Sequence, residues 1–291
     1  MTIDILSRSR QLNNEPTLQK LFELSVSAPD LIAARYLEGD KEIALTYGEC
    51  KQRALDYACL ISHMVGAGNT GYIAIQVDTC PEWFALFWGV IQSGHNTLLL
   101  DASLPDDMTS YLLKESGAKA LITRHLRALP EDILQIESSV LFACKKASEG
   151  FAPVFGHAVA LCTSGTTETS RIFVYDETAV CKQVLNSELL NRKNARMVDS
   201  TPRRALAFLP LHHVFGFMVN LLWVHFIGYE SVYLQNRSPK TILATCQRFG
   251  VELVTAVPLL AASLSNGVQK KVAKQPPLRR LLFAAMQNLS L

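Results

Sequence analysis

Two kinds of hydrophobic pattern alternate along the chain. Short apolar runs of strand length are separated by longer segments in which apolar residues recur at the spacing of one helix face. The short runs predict strands at 31–37, 42–46, 72–77, 97–100, 119–123, 205–210, 231–234 and 251–257, with further runs on both sides of Gly165 and from Leu281. The longer segments predict helices at 16–27, 47–64, 81–93, 106–115, 177–194, 211–228, 239–249 and 258–265.

The order of these elements predicts an α/β fold with doubly wound, largely parallel sheets and helices on both faces. Apolar strands that alternate with amphipathic helices are typical of sheets buried on both sides. Helix 81–93 is apolar nearly all round, so we expect it to lie between layers. The segment 124–157 is less regular, and a possible strand lies at 140–143.

Local signals mark two element ends. Thr46 followed by Glu49 is a capping box, which predicts the start of helix 47–64. The sequence GAGNTG at 66–71 matches the GxGxxG pattern of dinucleotide sites, but that fingerprint needs a strand before the glycines and a helix after them. Here a helix precedes and a strand follows. The glycines therefore indicate a helix end, with an NAD-dependent oxidoreductase as a distant alternative.

Composition narrows the class of protein. The 291 residues are 49% hydrophobic with a net charge of +2, which favours a folded globular chain and gives no electrostatic footprint for nucleic acid. The seven cysteines are odd in number and include no CxxC pair, which indicates buried thiols in a reducing compartment. The N-terminus lacks the apolar segment of a secretory signal, so a cytoplasmic location is expected. Three histidines and an asparagine in 211–228 favour a buried helix over a membrane span.

The most informative stretch is AVALCTSGTTETSRIFVY, at 158–175. It predicts a strand, a tight polar loop and a second strand. Gly165 opens backbone conformations closed to other residues and allows a ligand to approach closely. Backbone N–H groups, hydroxyls and the charge of Arg171 together suit a polyphosphate. On composition alone an ordinary hairpin loop is an equal alternative, since loops favour Ser and Thr. The hydroxyls are those of Thr163, Ser164, Thr166 and Thr167.

Several stretches resemble the adenylate-forming family of AMP-binding acyl-CoA synthetases and ligases. TSGTTETSR is similar to the phosphate loop TSGTTGxPK of that family, and LPLHHVFG at 209–216 to its LPLFHxxG segment. TYGECKQRALDYACLI and the stretch 101–123 also resemble its N-terminal portion. The resemblance covers 17–285 in the family order. It implies that 1–291 is a partial N-terminal domain with approximate subdomains 47–160 and 161–291.

The resemblance implies an activity and roles for individual residues. Members of the family use ATP and Mg²⁺ to convert a carboxylic acid to an acyl-adenylate, and then transfer the acyl group to coenzyme A or an acyl-carrier protein. His213 matches the histidine that lines the acyl pocket near the reacting carboxylate, and is otherwise a hydrogen-bonded histidine at the start of a buried helix. His212 occupies a variable position and is given no role. The residues that match the phosphate cradle are Thr163, Ser164, Gly165, Thr166 and Thr167, with Arg171 in place of the family lysine.

Three loop positions depart from the family pattern. Glu168 replaces a glycine and adds a negative charge beside a phosphate site. Ser170 replaces a proline, and Arg171 replaces a lysine with a planar fork that is not equivalent to an ammonium. These changes put the geometry of the family loop in question.

Later family elements are not found in the 291 residues: the adenine-contacting segment, the magnesium glutamate, the ribose aspartate and the lysine-bearing C-terminal domain. We therefore expect the N-terminal part of an ATP-dependent carboxylate ligase, truncated or completed by a second chain, that forms no adenylate alone. The alternative hypothesis is a non-catalytic nucleotide-binding or interaction protein derived from this family.

Overall fold

The computed structural model describes residues 3–66, 71–145, 148–162, 171–193 and 203–255, and thereafter only 267, 269–270, 272–277, 279–280 and 283. Its α-helices are α1 (Ile5–Asn14), α2 (Leu18–Ser25), α3 (Tyr47–Val65), α4 (Trp83–Gln92), α5 (Asp106–Ser116), α6 (Ser138–Ala143), α7 (Glu177–Lys193), α8 (Val224–Phe226) and α9 (Pro239–Phe249). Its strands are β1 (Ile32–Glu38), β2 (Lys41–Thr46), β3 (Tyr72–Gln76), β4 (Asn96–Leu99), β5 (Ala120–Thr123), β6 (Leu134–Glu137), β7 (Ala158–Cys162), β8 (Ile172–Asp176), β9 (Arg204–Ala207) and β10 (Glu230–Tyr233). A π-helix, Gly216–Trp223, directly precedes α8.

The described strands form two sheets. The six-stranded sheet has the order β6-β5-β3-β4-β7-β8 and is parallel except for the edge pair β7 and β8. The four-stranded sheet has the order β2-β1-β10-β9, in which β1 and β2 form the predicted antiparallel hairpin and the other pairs are parallel. The predicted α/β class, with mostly parallel sheets and helices beside them, is confirmed.

Helix α4 lies between the six-stranded sheet and the segment that joins β9 to β10. All of its residues are buried, and it packs against α3 and β4. On its other side, Phe84 contacts His225 with 4.7 Å between ring centroids, and Phe87 contacts Phe217 at 5.0 Å. This confirms the prediction that a helix apolar all round lies between layers.

Gly89 allows α3 and α4 to approach each other. A Cβ atom at this position would lie 2.8 Å from the Cβ of Tyr57 and 3.2 Å from the backbone oxygen of Ala54. Any larger residue would therefore force the two helices apart. The close contact explains why a residue of low helix propensity lies inside a buried helix.

Both ends of α3 follow the local sequence signals. Glu49 donates its backbone N–H to the Thr46 hydroxyl at 3.1 Å, and Thr46 donates its own to the Glu49 carboxylate at 2.7 Å, which completes the capping box. The helix ends at Gly66 with a φ of 99°, and β3 follows at Tyr72. The order is thus helix, glycine, strand, as the sequence predicted; residues 67–70 of the GAGNTG motif lie outside the described part.

Helix α1 was not predicted, because its sequence is mostly polar. Asp4 caps it by accepting the backbone N–H of Ser7 at 2.9 Å. Arg8 is buried on its inner face and donates to the backbone oxygen of Phe226 at 2.5 Å and to the Ser27 hydroxyl at 2.8 Å. The hydrogen bond from Arg8 to Phe226 therefore holds this helix against a distant part of the chain. The spacing of apolar residues gives no sign of such a contact.

The possible strand at 140–143 is wrong. These residues belong to helix α6, in which Leu141 is fully buried and Val140 is 48% exposed. The strand of this region is β6, just before it, which pairs in parallel with β5. A short apolar run fits a strand and a helical turn with one buried face equally well. The edge position next to β5 is occupied by β6.

The strands predicted at 251–257 and from Leu281 are not supported by the described residues. In the first segment Leu253 makes one isolated parallel bridge with Ala205, and residues 256–257 lie outside the described part. In the second, the one described position, Phe283, is helical. The predicted helix at 258–265 lies outside the described residues altogether.

Segment 211–228 contains the predicted buried helix, but the helix covers only 214–226, and Val214 and Phe215 at its start are exposed. Most of the π-helix and all of α8 are buried, and His225 donates from Nδ1 to the backbone oxygen of Leu221 at 2.6 Å. In the described part of the chain, no helix is both long enough and apolar enough to cross a membrane. A π-helix is a strained form that occurs often near functional sites.

The chain divides into two compact units, Met1–Val254 and Thr255–Leu291. Both sheets belong to the first unit. The described residues of the second unit are mostly helical. The predicted subdomain boundary at residue 160 stays a prediction.

Candidate active site

Parallel strands of the six-stranded sheet end together at one edge. Residue Asp78 follows β3 and Asp101 follows β4. Because β4 and β7 are parallel, with Leu99 opposite Leu161, the end of β7 at Cys162 lies beside the residues that lead to Asp101. Ligands of open α/β sheets bind outside the carboxyl ends of the strands. The predicted phosphate loop therefore begins at the edge where such sites form, although its residues Thr163, Ser164, Gly165, Thr166 and Thr167 lie outside the described part.

The four-stranded sheet brings further polar groups to this edge. Strand β9 leads to His212 and His213, and the parallel strand β10 leads to Arg237. Arg237 donates to the Thr79 hydroxyl, which follows β3 in the other sheet, at 3.4 Å. Carboxyl ends of strands from both sheets thus converge on one cluster of charged and titratable side chains.

Asp101, which follows a strand of the six-stranded sheet, lies close to His212, which follows a strand of the four-stranded sheet. The Asp101 atom Oδ1 accepts hydrogen bonds from the backbone N–H and the hydroxyl of Ser103, both at 2.8 Å. Its second oxygen, Oδ2, lies 3.4 Å from Nε2 of His212. That atom is buried and makes no hydrogen bond of good geometry to a described residue, so the interaction is a charge–dipole contact.

Burial keeps the His212 ring neutral. It lowers the pKa of His212 from 6.5 to about 4, and the nearby His213 and Arg237 act in the same direction. The negative charges of Asp101 and Asp78 oppose this shift without reversing it. Burial also acts to raise the pKa of Asp101, but the hydrogen bonds from Ser103 and the two histidines outweigh it, so that the pKa of Asp101 is lowered.

His213, the predicted acyl-pocket histidine, lies next to His212. The two rings are 4.3 Å apart between centroids and tilted by 59°. The His213 side chain is half-buried, and its ring nitrogens make no hydrogen bond to any described residue. They are therefore available to a ligand. The role predicted for His213 stays a prediction.

Gly216 closes the turn that carries the histidine pair. A Cβ atom at this position would lie 2.1 Å from the backbone oxygen of Pro210, so only glycine fits. The backbone N–H of Phe217 then bonds to the oxygen of His213 at 2.8 Å and leads into the π-helix. The lack of space beside Pro210 thus explains why the last residue of LPLHHVFG is glycine.

Arg171 lies at the start of β8 and is exposed. Its neighbour Ile172 pairs with Cys162, so the two ends of the predicted phosphate loop are adjacent. Arg171 lines a cavity of about 630 Å³ that also contains Tyr111 and Glu115 of α5. The structure shows no hydrogen bond or ion pair between Arg171 and the His213 segment within its described ranges, and the role of Arg171 stays a prediction.

A second cavity, of about 710 Å³, lies between the carboxyl ends of β3 and β5. Asp78, Arg124 and His125 line it with exposed charged or titratable groups. Neither here nor in any other part of the described residues is a group of three or more His, Cys, Asp or Glu side chains arranged to hold a metal ion. The magnesium implied by the resemblance thus finds no ligand set among them.

Sequence reasoning identified His213 but missed its neighbours. Asp101 could have been found as an acidic residue that directly follows a buried strand, a usual place for site residues in parallel sheets. Neither the pairing with His212 nor the approach of Arg237 could have been found, because they join strands of two sheets.

Comparison with known proteins agrees with this architecture. The family model described as "AMP-binding enzyme" matches residues 22–288. Gramicidin S synthase 2 of Brevibacillus brevis is 28% identical over 194 residues, which are 63% of this chain and 4% of that protein. The o-succinylbenzoate CoA synthetase of Bacillus subtilis, in complex with its acyl-adenylate intermediate, aligns with a TM-score of 0.69 and 21% identity over 85% of this chain and 50% of that one. A fatty acyl-adenylate ligase from L. pneumophila aligns at 0.69 with 15% identity over 83% of this chain and 44% of that one.

The chain therefore spans half or less of the length of these proteins. At such identities the likeness to solved structures concerns the fold alone. The family model, in contrast, matches most of the chain and includes both the predicted phosphate loop and the histidine segment. The chain belongs to the AMP-binding enzyme family of adenylate-forming ligases.

Proposed function

We propose that this chain is the N-terminal part of an ATP-dependent carboxylate ligase. The substrate carboxylate attacks the α-phosphate of ATP, which forms an acyl-adenylate and releases pyrophosphate. A thiol then attacks the acyl carbon, which forms a thioester and releases AMP. The observation that carries this proposal is the convergence at one sheet edge. Cys162, which directly precedes the predicted phosphate loop, lies at the end of β7, and Asp101 follows the neighbouring parallel strand β4. The pair His212 and His213 follows β9 of the other sheet and reaches Asp101.

The residues of this chain contribute binding and positioning. Hydroxyls and backbone N–H groups of the loop, with the charge of Arg171, hold the phosphates. A nitrogen of His213 faces the substrate carboxylate. Catalysis then comes mainly from the orientation of the two reactants and from compensation of the phosphate charge. Magnesium, if bound, would neutralise phosphate charge in this reaction.

The thiol acceptor is coenzyme A or a carrier protein. Gramicidin S synthase 2 is named a synthase, and a relative from Gibberella zeae is named nonribosomal peptide synthetase 2. This favours a carrier-protein thiol. The o-succinylbenzoate CoA synthetase among the structural relatives supports coenzyme A. Once the adenylate forms, its conversion to a thioester can be measured in parallel with a carrier protein and with coenzyme A. The comparison shows which of these two thiols is the acceptor.

Calorimetry with ATP tests the phosphate site. We expect the chain to bind ATP and Arg171→Ala to weaken binding about tenfold, because a hydrogen bond to a charged group contributes roughly 1.5 kcal/mol or more. Arg124→Ala, an exposed arginine in the other cavity, is the matched control and should leave the affinity unchanged. Absence of ATP binding, or equal weakening by both variants, would contradict the proposal.

Carboxylate-dependent exchange between ATP and pyrophosphate tests the completeness of the chain. We expect none from the chain alone, because the magnesium glutamate and ribose aspartate motifs do not occur in its 291 residues. Addition of a second polypeptide that carries these motifs should restore exchange. Clear exchange without it would show that the chain is sufficient.

The second candidate is a non-catalytic nucleotide-binding or interaction protein. Glu168 favours it, because this carboxylate adds a negative charge to the predicted phosphate loop. Under this hypothesis ATP binds weakly or not at all and no partner restores exchange. Glu168→Gly should then strengthen ATP binding.

A further inference from the structure

Asp101 is a fixed group at the sheet edge. Ser103 holds one of its oxygens with two hydrogen bonds of 2.8 Å, which sets the rotamer of the carboxylate. The second oxygen then points to Nε2 of His212, 3.4 Å away. A carboxylate held in this way favours the tautomer of His212 that carries its proton on Nε2.

His212 is a mostly buried, neutral ring with charged groups on several sides. Its side chain is 14% exposed. Asp101 faces it from β4, Asp78 from the end of β3, Arg237 from the end of β10 and His213 from its own segment. The two carboxylates outnumber the arginine, but burial outweighs their effect and lowers the pKa of His212 to about 4. The ring is therefore neutral near pH 7 and offers a flat surface to His213.

The ring of His212 and the carboxylate of Asp101 both lie near the His213 ring. Its ring nitrogens make no hydrogen bond to a described residue, and its ring contacts that of His212 at 4.3 Å. Without such a contact, a half-exposed imidazole that makes no hydrogen bonds would rotate about its side-chain torsions. Fixing it when a ligand binds would then cost conformational entropy.

We propose that His212 is a positioning residue: held by Asp101, it fixes the orientation of the His213 ring and so directs a His213 nitrogen to the substrate carboxylate. This role rests on the proposed function, in which His213 lies at the reacting carboxylate. It gives a purpose to a position that the sequence resemblance treats as variable. The role does not include ATP binding.

Nitrogen NMR of the histidine side chains in the full chain tests the proposal, since it reports the tautomer and the ring environment directly. We expect His213 to hold one tautomer at neutral pH in the wild type. His212→Phe is the decisive variant, because it keeps a ring of similar size and, with His212 neutral, changes no charge. It should shift the His213 nitrogens towards the averaged values of a free imidazole.

Asp101→Asn is the second variant and should loosen His213 in the same direction. His125→Phe, which removes an exposed histidine elsewhere, should leave the His213 signals unchanged. Circular dichroism checks that each variant folds. Unchanged His213 signals in both folded variants would overturn the positioning role.

Calorimetry with ATP separates this result from the proposed function. His212→Phe should bind ATP as the wild type does, and a loss of ATP affinity in this variant would also contradict a role limited to His213. If the wild type itself binds no ATP, the proposed function fails. The NMR comparison then still decides whether His212 orients His213.

Discussion

Trp223 of the π-helix donates a hydrogen bond to Glu188 of α7, with 3.4 Å between Nε1 and Oε2. The Glu188 side chain is fully buried. Among the described residues, the positive charge next to it is that of Arg192, whose Nε lies 3.3 Å from Oε1 and which is itself 40% exposed. Burial raises the pKa of Glu188, against the hydrogen bonds from Asn191 and Trp223 and the charge of Arg192.

This burial predicts a stability that falls as pH rises. An acid whose pKa is raised on folding stabilises the folded state fully below its unfolded pKa, and that contribution is lost as pH rises through the folded pKa. We expect Glu188→Gln, which keeps the acceptor for Trp223, to raise the free energy of unfolding at pH 7 by about 1 kcal/mol. Urea unfolding between pH 5 and pH 8 measures it, where those pH values are chosen to lie above the unfolded pKa of roughly 4.3.

Glu131→Gln, an exposed carboxylate, serves as the control and should change neither the stability nor its pH dependence. A variant at Glu188 that is less stable than the wild type at every pH would contradict this account, since it would show that the ionised carboxylate is favourable there.

His225 predicts an opposite pH dependence. Burial lowers its pKa from 6.5 to about 4, against hydrogen bonds to the backbone of Leu221 and Ala33. The unfolded chain therefore takes up a proton before the folded one, and stability is lost as pH falls from 6.5 towards 4. Each such proton contributes a slope of about 1.4 kcal/mol per pH unit.

His225→Asn should remove one proton from this slope, since the amide can still donate to Leu221 but does not titrate. Equilibrium unfolding in urea across the acidic range measures the slope. The exposed His125, changed to Asn, should leave the slope as it is. An unchanged slope in His225→Asn would show that folding does not lower the pKa of this ring.

Gly89→Ala should destabilise the protein by roughly 1–3 kcal/mol, the usual cost of overpacking. The added methyl group would lie 2.8 Å from the Cβ of Tyr57, and both atoms belong to tightly packed helices. Alanine has the higher helix propensity by up to about 1 kcal/mol, so an effect of propensity alone would have the opposite sign. Thermal and urea unfolding decide between the two, and a gain in stability would refute the steric reading.

Thr46→Ala should cost about 1 kcal/mol, because α3 loses the acceptor for the Glu49 backbone N–H. Thr46→Ser keeps the hydroxyl and should cost much less. The comparison is made by urea unfolding. Equal losses in the two variants would show that the methyl group of Thr46, and not its hydroxyl, is important.

Sequence reasoning succeeded where the determinants are local. The capping box at Thr46 and Glu49 and the glycine end at Gly66 depend on a few neighbouring residues, so their reading is independent of the rest of the fold. The same reasoning failed at 140–143, where a short apolar run fits a strand and a helical turn equally well, and at α1, where a buried arginine replaces an apolar face.

The candidate site was predictable only in part. His213 was found through a motif, and the position of the phosphate loop through its glycine and hydroxyl residues. The relationship of Asp101 to His212 was not predictable, since the two residues come from different sheets and neither belongs to a shared pattern. A pair of this kind depends on how the two sheets pack against each other. The pattern of apolar and polar residues along the sequence does not contain that information.

The contact between Asp101 and His212 also has a meaning for the folding of the chain. Asp101 belongs to the six-stranded sheet, whereas His212 follows a strand of the four-stranded one. A folding intermediate with a single formed sheet would leave His212 in water, where it titrates near the usual value. A fall in the pKa of His212 during refolding would thus report the step at which the two sheets pack together. The candidate site is first formed at that step.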